Sequence, residues 1–426
     1  MEKYVWSDNS LPVIDVHSIK KHEVIREYLL QYIRILGNTI IHVDHLDITF
    51  IDGFSGGGLY KAHDGSLHEG SPLVFLRASE EAAFEIQQEK QFHLNAHYIF
   101  IDEKRAYIDF LKKVLIDRGY GQRLDKDIFL QCGLFQDRID NVISYIQKRR
   151  GTAGRCIFLL DQYGWSDVPI FLLQKIFRNL RGAEVILTFA VDAMIDYMNT
   201  DTMYIKSMEN TGFDIDITSN ILSEKSQKGY RAIAQYKLYR ELIKNIGMKH
   251  LFHTNFFIKS SESSRSYWLL HFSTHPKARD EMMKLHWKFH NHFVHEGKSG
   301  FHMLMYDPRN DSSIVGQGSF SFDSISQQLN NKSLMYDIPE SILQDEWIRV
   351  EDLFKRECNQ TSATFDHILD AIKSLYEYGE IEVRTKADTE KRKKVKINKT
   401  DLIKIPSQLR FFTFSSSARH RLPKAP

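Results

Sequence analysis

The chain of 426 residues is long enough to bury a large core and to form two domains, and its formal net charge is +2 at pH 7. Its three cysteines show no CxxC spacing, which argues against a disulfide framework and against a cysteine-based zinc site. No apolar run is long enough to span a bilayer and no secretory leader pattern opens the sequence, so we expect a cytoplasmic protein.

The first predicted element is an amphipathic helix from His17 to Leu36, "HSIKKHEVIREYLLQYIRIL", whose apolar residues fall close to helical spacing. A short apolar strand, "HLDITFIDGF", follows and ends near Asp52. A helix is predicted from Ser71 to Gln88, with Ser71 as its N-cap and Pro72 at its first helical position. The residues between Leu59 and Gly70 are expected to be a loop inserted before this helix.

Strand and helix patterns then alternate through "HYIFIDEKRAYIDFLKKVL", "DIFLQCGLFQDRIDNVISYIQKR" and "RCIFLLDQYGWSDVPIFLLQKIFRNL", and "AEVILTFAVDAM" supplies a fifth strand. Near-continuous apolar strands separated by helices indicate a parallel sheet covered on both faces. Two further strands in "HTNFFIKSSESSRSYWLLHFST" flank a polar turn and predict a hairpin. We therefore predict an α/β fold with a doubly wound, Rossmann-like class I methyltransferase sheet that ends in an antiparallel hairpin.

A second unit follows a loop-rich stretch that is expected between Asn291 and Gln344. A helix is predicted from Trp347 to Arg356, and a second helix after "NQTSAT" is expected to end at Gly379, a predicted C′ glycine. "EIEVR" and "KKVKI" are predicted as two strands on either side of a basic turn. This pattern is typical of a winged helix, so we expect domains at residues 1–290 and 341–426, with residues 291–340 connecting them.

The predicted wing is basic, because residues 384–404 contain nine Lys/Arg and three Asp/Glu. Lysine and arginine in a wing can hold the phosphate backbone of a nucleic acid without reading its sequence. The candidate nucleic-acid-binding residues are Lys391, Arg392, Lys393, Lys394 and Lys396. The alternative is a solvated hairpin or a wing that docks a protein.

The stretch "FIDGFSGGGLY" places glycines at the exit of the first strand. In a parallel sheet such a turn lies at the carboxyl edge, where its backbone amides can approach a ligand and an acid after the next strand, Asp102, can bind ribose hydroxyls. The spacing matches neither a nicotinamide fingerprint nor a P-loop. A turn that binds no ligand remains the alternative.

The stretch "LLDQYG", residues 159–164, ends the fourth strand, at the edge where methyltransferases hold the group being methylated. Asp161 could accept an exocyclic N–H, Tyr163 could stack on a flipped base, and Gln162 could add a polar contact. An aspartate that caps a helix and a tyrosine that packs at the rim would account for the same residues.

Metal chemistry is a further alternative. His63, Asp64, His68 and Glu69 in "HDGSLHEG" have the chemistry of metal ligands, but such loops more often carry histidines into solvent or onto phosphate, and we predict no metal there. A nuclease that holds a divalent ion with the strand-end acids is the third choice of function. Those acids are Asp52, Asp102 and Asp161.

Several of these stretches together resemble the three-Cys-motif partner protein family. They are the first helix, "IDGFSGGGLY" with "EGSPLVFL", "FIDEKRAYIDFLK", "FLLDQYGWSDVP" and "YWLLHFSTHPKARDEMM", and they cover roughly the first 290 residues in order. Gly57 and Gln162 depart from the family, which usually has proline at both positions, and the loop before Gly70 is longer here.

The resemblance implies a methyltransferase-type fold in a bacterial or mobile-element protein that works with a cysteine-motif partner protein. Carried onto this chain, it implies an S-adenosylmethionine site and an acceptor motif of Asp161, Tyr163 and Gly164. The implied cofactor-binding residues are Asp52, Gly53, Phe54, Ser55, Gly56, Gly58, Ser71 and Asp102. The leading hypothesis is a methyltransferase acting on DNA or RNA, and the alternative is a non-catalytic nucleic-acid-binding subunit of a partner enzyme.

Overall fold

A computed structural model of the chain describes residues 4–7, 10–39, 45–214, 220–223, 230–259, 266–289, 294–295, 320–321, 324–385 and 396–406. The chain divides into two compact units. The first comprises Met1–Glu296 and Asp307–Phe322, and the second comprises Gly297–Tyr306 and Asp323–Pro426. No helix among the described residues is both long and apolar enough to cross a bilayer.

The first unit is built on a seven-stranded sheet. Its strands are β1 (His45–Asp52), β4 (His93–Asp102), β5 (Ile128–Cys132), β6 (Arg155–Leu160), β7 (Ala183–Phe189), β8 (Phe252–Lys259) and β9 (Ser266–Ser273), and their spatial order is β5-β4-β1-β6-β7-β9-β8. The first five strands are parallel, while β9 runs antiparallel to both β7 and β8. The order, with its terminal hairpin, confirms the predicted class I methyltransferase-like sheet.

Helices cover both faces of this sheet. Their bounds are α1 (Val16–Thr39), α2 (Ser71–Glu89), α3 (Arg105–Asp117), α4 (Phe135–Arg150), α5 (Ile170–Asn179), α6 (Val191–Asp196), α7 (Thr202–Thr211), α8 (Tyr230–Ile246) and α9 (Pro276–Lys288). One core layer packs α1, α2, α3 and α9 against the sheet, and the other packs α4 to α8. The strands are buried on both sides, which explains their near-continuous apolar sequences.

Two local predictions around α2 are corrected. The N-cap is Gly70, with extended φ/ψ of −78° and 175°, so Ser71 is the first helical residue and Pro72 the second. The insertion before α2 is a β-hairpin of β2 (Leu59–Lys61) and β3 (Leu67–Glu69), because Leu59, Tyr60 and Lys61 pair with Glu69, His68 and Leu67. The hairpin brings Gly70 N–H within 2.9 Å of the Gly58 carbonyl oxygen, which closes the turn.

The described residues of the second unit form three α-helices and a three-stranded sheet. The elements are α10 (Ser324–Ser341), β12 (Ile348–Arg349), α11 (Val350–Glu357), α12 (Phe365–Tyr378), β13 (Glu382–Arg384) and β14 (Leu402–Lys404), with a separate short pair of β10 (Val294–His295) and β11 (Phe320–Ser321) assigned to the first unit. The sheet order is β12-β14-β13, and α12 ends at Gly379 in the left-handed conformation that was predicted for it. Helix α10 lies entirely within the stretch from Asn291 to Gln344 that was expected to be loop-rich, so that expectation was wrong for residues 324–341.

The position of Ile403 in the sheet accounts for two differences from the elements predicted for this unit. The predicted helix at Trp347 begins three residues later, at Val350, because Ile348 pairs with Ile403 in the sheet. The strand that pairs with β13 is Leu402–Lys404 and not "KKVKI", of which only Lys396 and Ile397 are described, outside any strand. Ile403 fixes this register, since it is fully buried between Ile348 and Val383.

Candidate cofactor and acceptor site

Three acids meet at the carboxyl edge of the sheet. Asp52 ends β1, where it lies opposite Phe100 of β4 and Leu159 of β6. Asp102 and Asp161 come two residues after these partners, and parallel strands end at the same edge of a sheet. The fold therefore brings the three strand-end acids of the sequence analysis together.

Asp102 is held directly against the glycine turn. Its Oδ2 accepts a hydrogen bond from Gly56 N–H at 3.0 Å and its Oδ1 accepts one from Lys104 N–H at 2.9 Å. Burial raises the pKa of Asp102, although these two amides act to lower it. Each carboxylate oxygen can accept a second hydrogen bond, so Asp102 keeps the capacity to bind a pair of hydroxyl groups.

The glycine turn is shaped by packing as well as by its backbone. Gly56 and Gly58 have φ of +56° and +75°, which glycine adopts without strain. A Cβ at Gly56 would lie 2.6 Å from Trp6 Cη2, and one at Gly57 would lie 2.5 Å from Trp6 Cγ. The Trp6 indole also donates from Nε1 to the Leu59 carbonyl oxygen at 2.6 Å. The close approach of Trp6 thus requires glycine at 56 and 57.

Most amides at the start of the turn are already engaged. Gly53 N–H donates to Leu159 O and Ser55 N–H donates to Ile101 O, both at 2.9 Å. Phe54 N–H donates to Oδ1 of Asp52 at 3.1 Å. These bonds tie the turn to the strand ends on either side, so its amides organise the edge.

Asp52 is fully buried, and its Oδ2 has no hydrogen-bond partner among the described residues. Burial raises the pKa of Asp52 to about 7, while the Ser71 hydroxyl and the Phe54 amide oppose that shift. Ser71 therefore lies at the site, at the first position of α2. A buried acceptor without a partner is costly, which makes Asp52 a candidate for binding a ligand that donates hydrogen bonds.

Other unpartnered polar atoms lie along the same edge. Within the described part of the chain, no hydrogen-bond partner is found for Ser55 Oγ in the turn, Gln131 Oε1 near the end of β5, or Gln162 Nε2 after β6. The ammonium, carboxylate and ribose hydroxyls of S-adenosylmethionine are the kinds of group that could satisfy these donors and acceptors. The chemistry of the edge thus fits the predicted cofactor.

Asp161 forms an ion pair with Lys21, through its Oδ2. Lys21 comes from α1 and is only 7% exposed. Burial acts to raise the pKa of Asp161, but the Lys21 ammonium outweighs it and the net pKa is lowered. Lys21 was not among the site residues predicted from the sequence. The available signal was its spacing, because Lys21 falls on the same helical stripe as the buried residues Val24, Ile25 and Tyr28.

A histidine pair lies beside this ion pair. His22 Nδ1 is 3.2 Å from His68 Nε2, and their rings stack with centroids 5.4 Å apart. Burial, followed by the Lys21 charge, lowers the pKa of His22 to about 3, and burial also lowers the pKa of His68. Both rings are therefore neutral at pH 7, which is favourable for buried side chains next to an ammonium group.

The loop that contains His63, Asp64, His68 and Glu69 lies in the β2–β3 hairpin. His63 and Asp64 are exposed at the tip of the hairpin, and Glu69 pairs with Arg77 at 2.7 Å. Among the described residues, no group of three or more His, Cys, Asp or Glu side chains is placed to hold a metal ion. The nuclease alternative gains no support from this geometry.

Gln162 organises the loop after β6. Its Oε1 accepts hydrogen bonds from the amides of Asp167 and Val168, both at 3.0 Å. These two bonds stiffen the strand exit where the resembled family has proline. Tyr163 is 68% exposed, so its ring is accessible at the rim of the edge.

The predicted wing is described only in part. Lys391, Arg392, Lys393 and Lys394 lie outside the described residues, and Lys396 is exposed just before β14. The nucleic-acid role of these five residues remains a prediction.

Residues 305–388 match the family model for the GMT-like wHTH domain. The match confirms the winged-helix prediction for the second unit. No curated protein matches the sequence.

Solved structures similar to this chain include a Legionella pneumophila protein, with 9% identity over 62% of this chain and 89% of the other and a TM-score of 0.36. Another is the O-methyltransferase TomG from Streptomyces achromogenes in complex with SAM, with 14% identity over 62% of this chain and 91% of the other and a TM-score of 0.30. A third is an O-methyltransferase from Bacillus cereus in complex with SAH, with 9% identity over 58% of this chain and 80% of the other and a TM-score of 0.31. Because these TM-scores are low, the fold assignment rests on the strand order of the sheet.

Proposed function

We propose that this protein is an S-adenosylmethionine-dependent methyltransferase of the three-Cys-motif partner family, acting on nucleic acid with a cysteine-motif partner protein. The observation that carries the proposal is the contact between Asp102 and Gly56, at an edge where buried polar atoms are left without partners. This is the position at which doubly wound sheets bind nucleotides.

The residues at the edge divide into a cofactor half and an acceptor half. Asp102 would bind the ribose hydroxyls, and the unpartnered oxygen of Asp52 would accept from the ammonium group. The bound cofactor supplies an electrophilic methyl group. Because Lys21 engages Oδ2 of Asp161, the acceptor would be bound by Oδ1, with Tyr163 as a stacking surface. Catalysis would come mainly from proximity and orientation.

Calorimetry with S-adenosylmethionine and S-adenosylhomocysteine tests the cofactor half. We expect micromolar binding that weakens about 10- to 100-fold in Asp102→Asn and Asp102→Ala, since charge-assisted hydrogen bonds to hydroxyls are lost. Asp117→Asn, an exposed acid at the end of α3, is the matched control and should leave affinity unchanged. Equal affinity of the wild type and Asp102→Ala would refute the assignment of the ribose to Asp102.

A non-catalytic recognition subunit is the second candidate, and two observations favour it. Trp6 packs on the glycine turn, and Lys21 already neutralises Asp161. In this case neither adenosyl compound would bind, while affinity for DNA or RNA would persist. Mass spectrometry of the purified protein for a retained adenosyl ligand separates the two candidates independently of the calorimetry.

A further inference from the structure

The second unit offers two different surfaces to a nucleic acid. Its order of elements, helix-strand-helix-helix-strand-strand, places α12 in the position of the recognition helix of a helix-turn-helix domain. Such a helix normally enters the major groove with its N-terminal residues next to base edges and phosphates. The other surface is the outer face of the sheet formed by β12, β14 and β13.

The outer side of α12 is acidic. Four exposed residues recur at helical spacing along it: Asp366, Asp370, Lys373 and Glu377. The opposite side of the helix is buried in the unit through residues that include Ile368, Ala371, Ile372 and Leu375. Three carboxylates against one ammonium would be repelled by a phosphate backbone, so α12 is poorly suited to enter a groove.

The outer face of the sheet has the opposite charge. Side chains alternate between the two faces of a strand, and Ile348, Val383 and Ile403 occupy the same register positions across the sheet. The neighbouring positions therefore share the other face, with Arg349 and Arg384 on either side of Leu402, and Lys404 opposite Glu382. This face carries three cations and one carboxylate, and the Lys404 ammonium lies 3.5 Å from Oε2 of Glu382, so Arg349 and Arg384 supply its excess positive charge.

Trp347 joins these cations into one surface. The Arg384 guanidinium lies 4.6 Å from the centre of the Trp347 ring, and the Lys404 ammonium lies 4.9 Å from it. Cation–π contacts fix both charged groups against the ring and reduce the entropy lost when they bind an anion. Between β13 and β14 the sequence adds seven further cations, which are Lys386, Lys391, Arg392, Lys393, Lys394, Lys396 and Lys399.

We infer that the winged-helix unit contacts nucleic-acid phosphates through the outer sheet face of Arg349, Arg384 and Lys404, and that α12 does not enter a groove. This inference rests on the proposed nucleic-acid function and names the surface that performs it. Phosphodiester groups are common to single strands and duplexes, so both are probes in the test.

The test is fluorescence polarisation of the full-length protein with labelled duplex DNA, the corresponding single strand, and RNA of the same sequence, between 50 and 200 mM salt. We expect Arg349→Gln/Arg384→Gln to weaken binding about tenfold or more. The slope of the logarithm of the binding constant against the logarithm of the salt concentration should become less steep by about two, since each lost phosphate contact contributes about 0.9. Lys373→Gln on α12 is the matched control and should change affinity less than about twofold. Circular dichroism establishes that each variant is folded.

The possible outcomes separate this inference from the proposed function. An unchanged salt slope in Arg349→Gln/Arg384→Gln, or a tenfold loss of affinity in Lys373→Gln, would overturn the inference. Binding by the wild type would still support the nucleic-acid role in that case. Failure of the wild type to bind any of the three probes would overturn both. Asp366→Asn/Asp370→Asn provides a further check, because a loss of affinity on removing these negative charges would mean that α12 makes direct contacts.

Discussion

Lys21 of α1 forms an ion pair with Asp161 at the end of β6, across 140 residues of sequence. The Lys21 ammonium lowers the pKa of Asp161 and keeps its carboxylate ionised. Its partners are unequal in exposure, since the Lys21 side chain is 9% exposed and that of Asp161 is 25% exposed.

Lys21→Met should destabilise the protein by about 2–3 kcal/mol, because it leaves a largely buried carboxylate without its partner. Lys20→Met is the matched control, since Lys20 is 33% exposed and pairs with Glu23 in the next turn, and it should cost less than about 1 kcal/mol. Urea unfolding measures both. Adding Asp161→Asn to Lys21→Met should recover part of the loss, and similar effects of the two lysine substitutions would contradict the assigned role of the pair.

The Asp52 carboxyl should make stability fall as the pH rises. Its pKa is raised from 3.8 to about 7 in the folded protein, so between these values the folded state holds a proton that the unfolded state has released. Its contribution is present at low pH and is lost as the pH rises through about 7. Between pH 5 and pH 8 the titration of Asp52 should lower the free energy of unfolding by roughly 3 kcal/mol.

The measurement is the free energy of unfolding of the wild type and of Asp52→Asn at pH 5 and pH 8. The wild type should lose stability relative to Asp52→Asn over this interval. Asp117→Asn, which removes an exposed carboxyl, should run parallel to the wild type. A constant difference between the wild type and Asp52→Asn at the two pH values would show that Asp52 titrates normally.

Gly56→Ala should be more destabilising than a positive φ alone explains. Gly56 and Gly119 both have a positive φ, +56° and +87°, but only Gly56 faces Trp6, whereas a Cβ at Gly119 would meet nothing within 4 Å. We expect a loss of about 1 kcal/mol for Gly119→Ala and about 2–4 kcal/mol for Gly56→Ala in urea unfolding. In a Trp6→Ala background the two glycine substitutions should differ less in the free energy of unfolding that they cost. If that difference is unchanged, contact with Trp6 does not cause it.

The wing lysines should contribute to nucleic-acid affinity through charge. The triple variant Lys391→Ala/Lys393→Ala/Lys394→Ala is expected to weaken binding and to lower the salt slope by up to about 0.9 per lost contact. A triple variant of exposed lysines in the first unit is the control, at Lys112, Lys126 and Lys206. Polarisation titrations between 50 and 200 mM salt give both quantities, and a slope equal to that of the wild type refutes the prediction.

The sequence by itself determined the sheet and the acids at its edge. Apolar strands that alternate with helices specify a doubly wound sheet, and parallel strands must end on one side, so Asp52, Asp102 and Asp161 could be brought together without coordinates. The αL glycine at Gly379 was equally predictable, because it depends on the conformation of one residue.

Only the tertiary structure decided which side chains pack against those acids. Trp6 on the glycine turn, Lys21 on Asp161 and His22 on His68 depend on contacts between segments far apart in sequence, which no local periodicity encodes. The register of β14 had the same cause, since burial of Ile403 between two other strands outweighed the local strand pattern of "KKVKI". Pattern specifies which elements form and where they end, whereas packing selects the partners of each charged group.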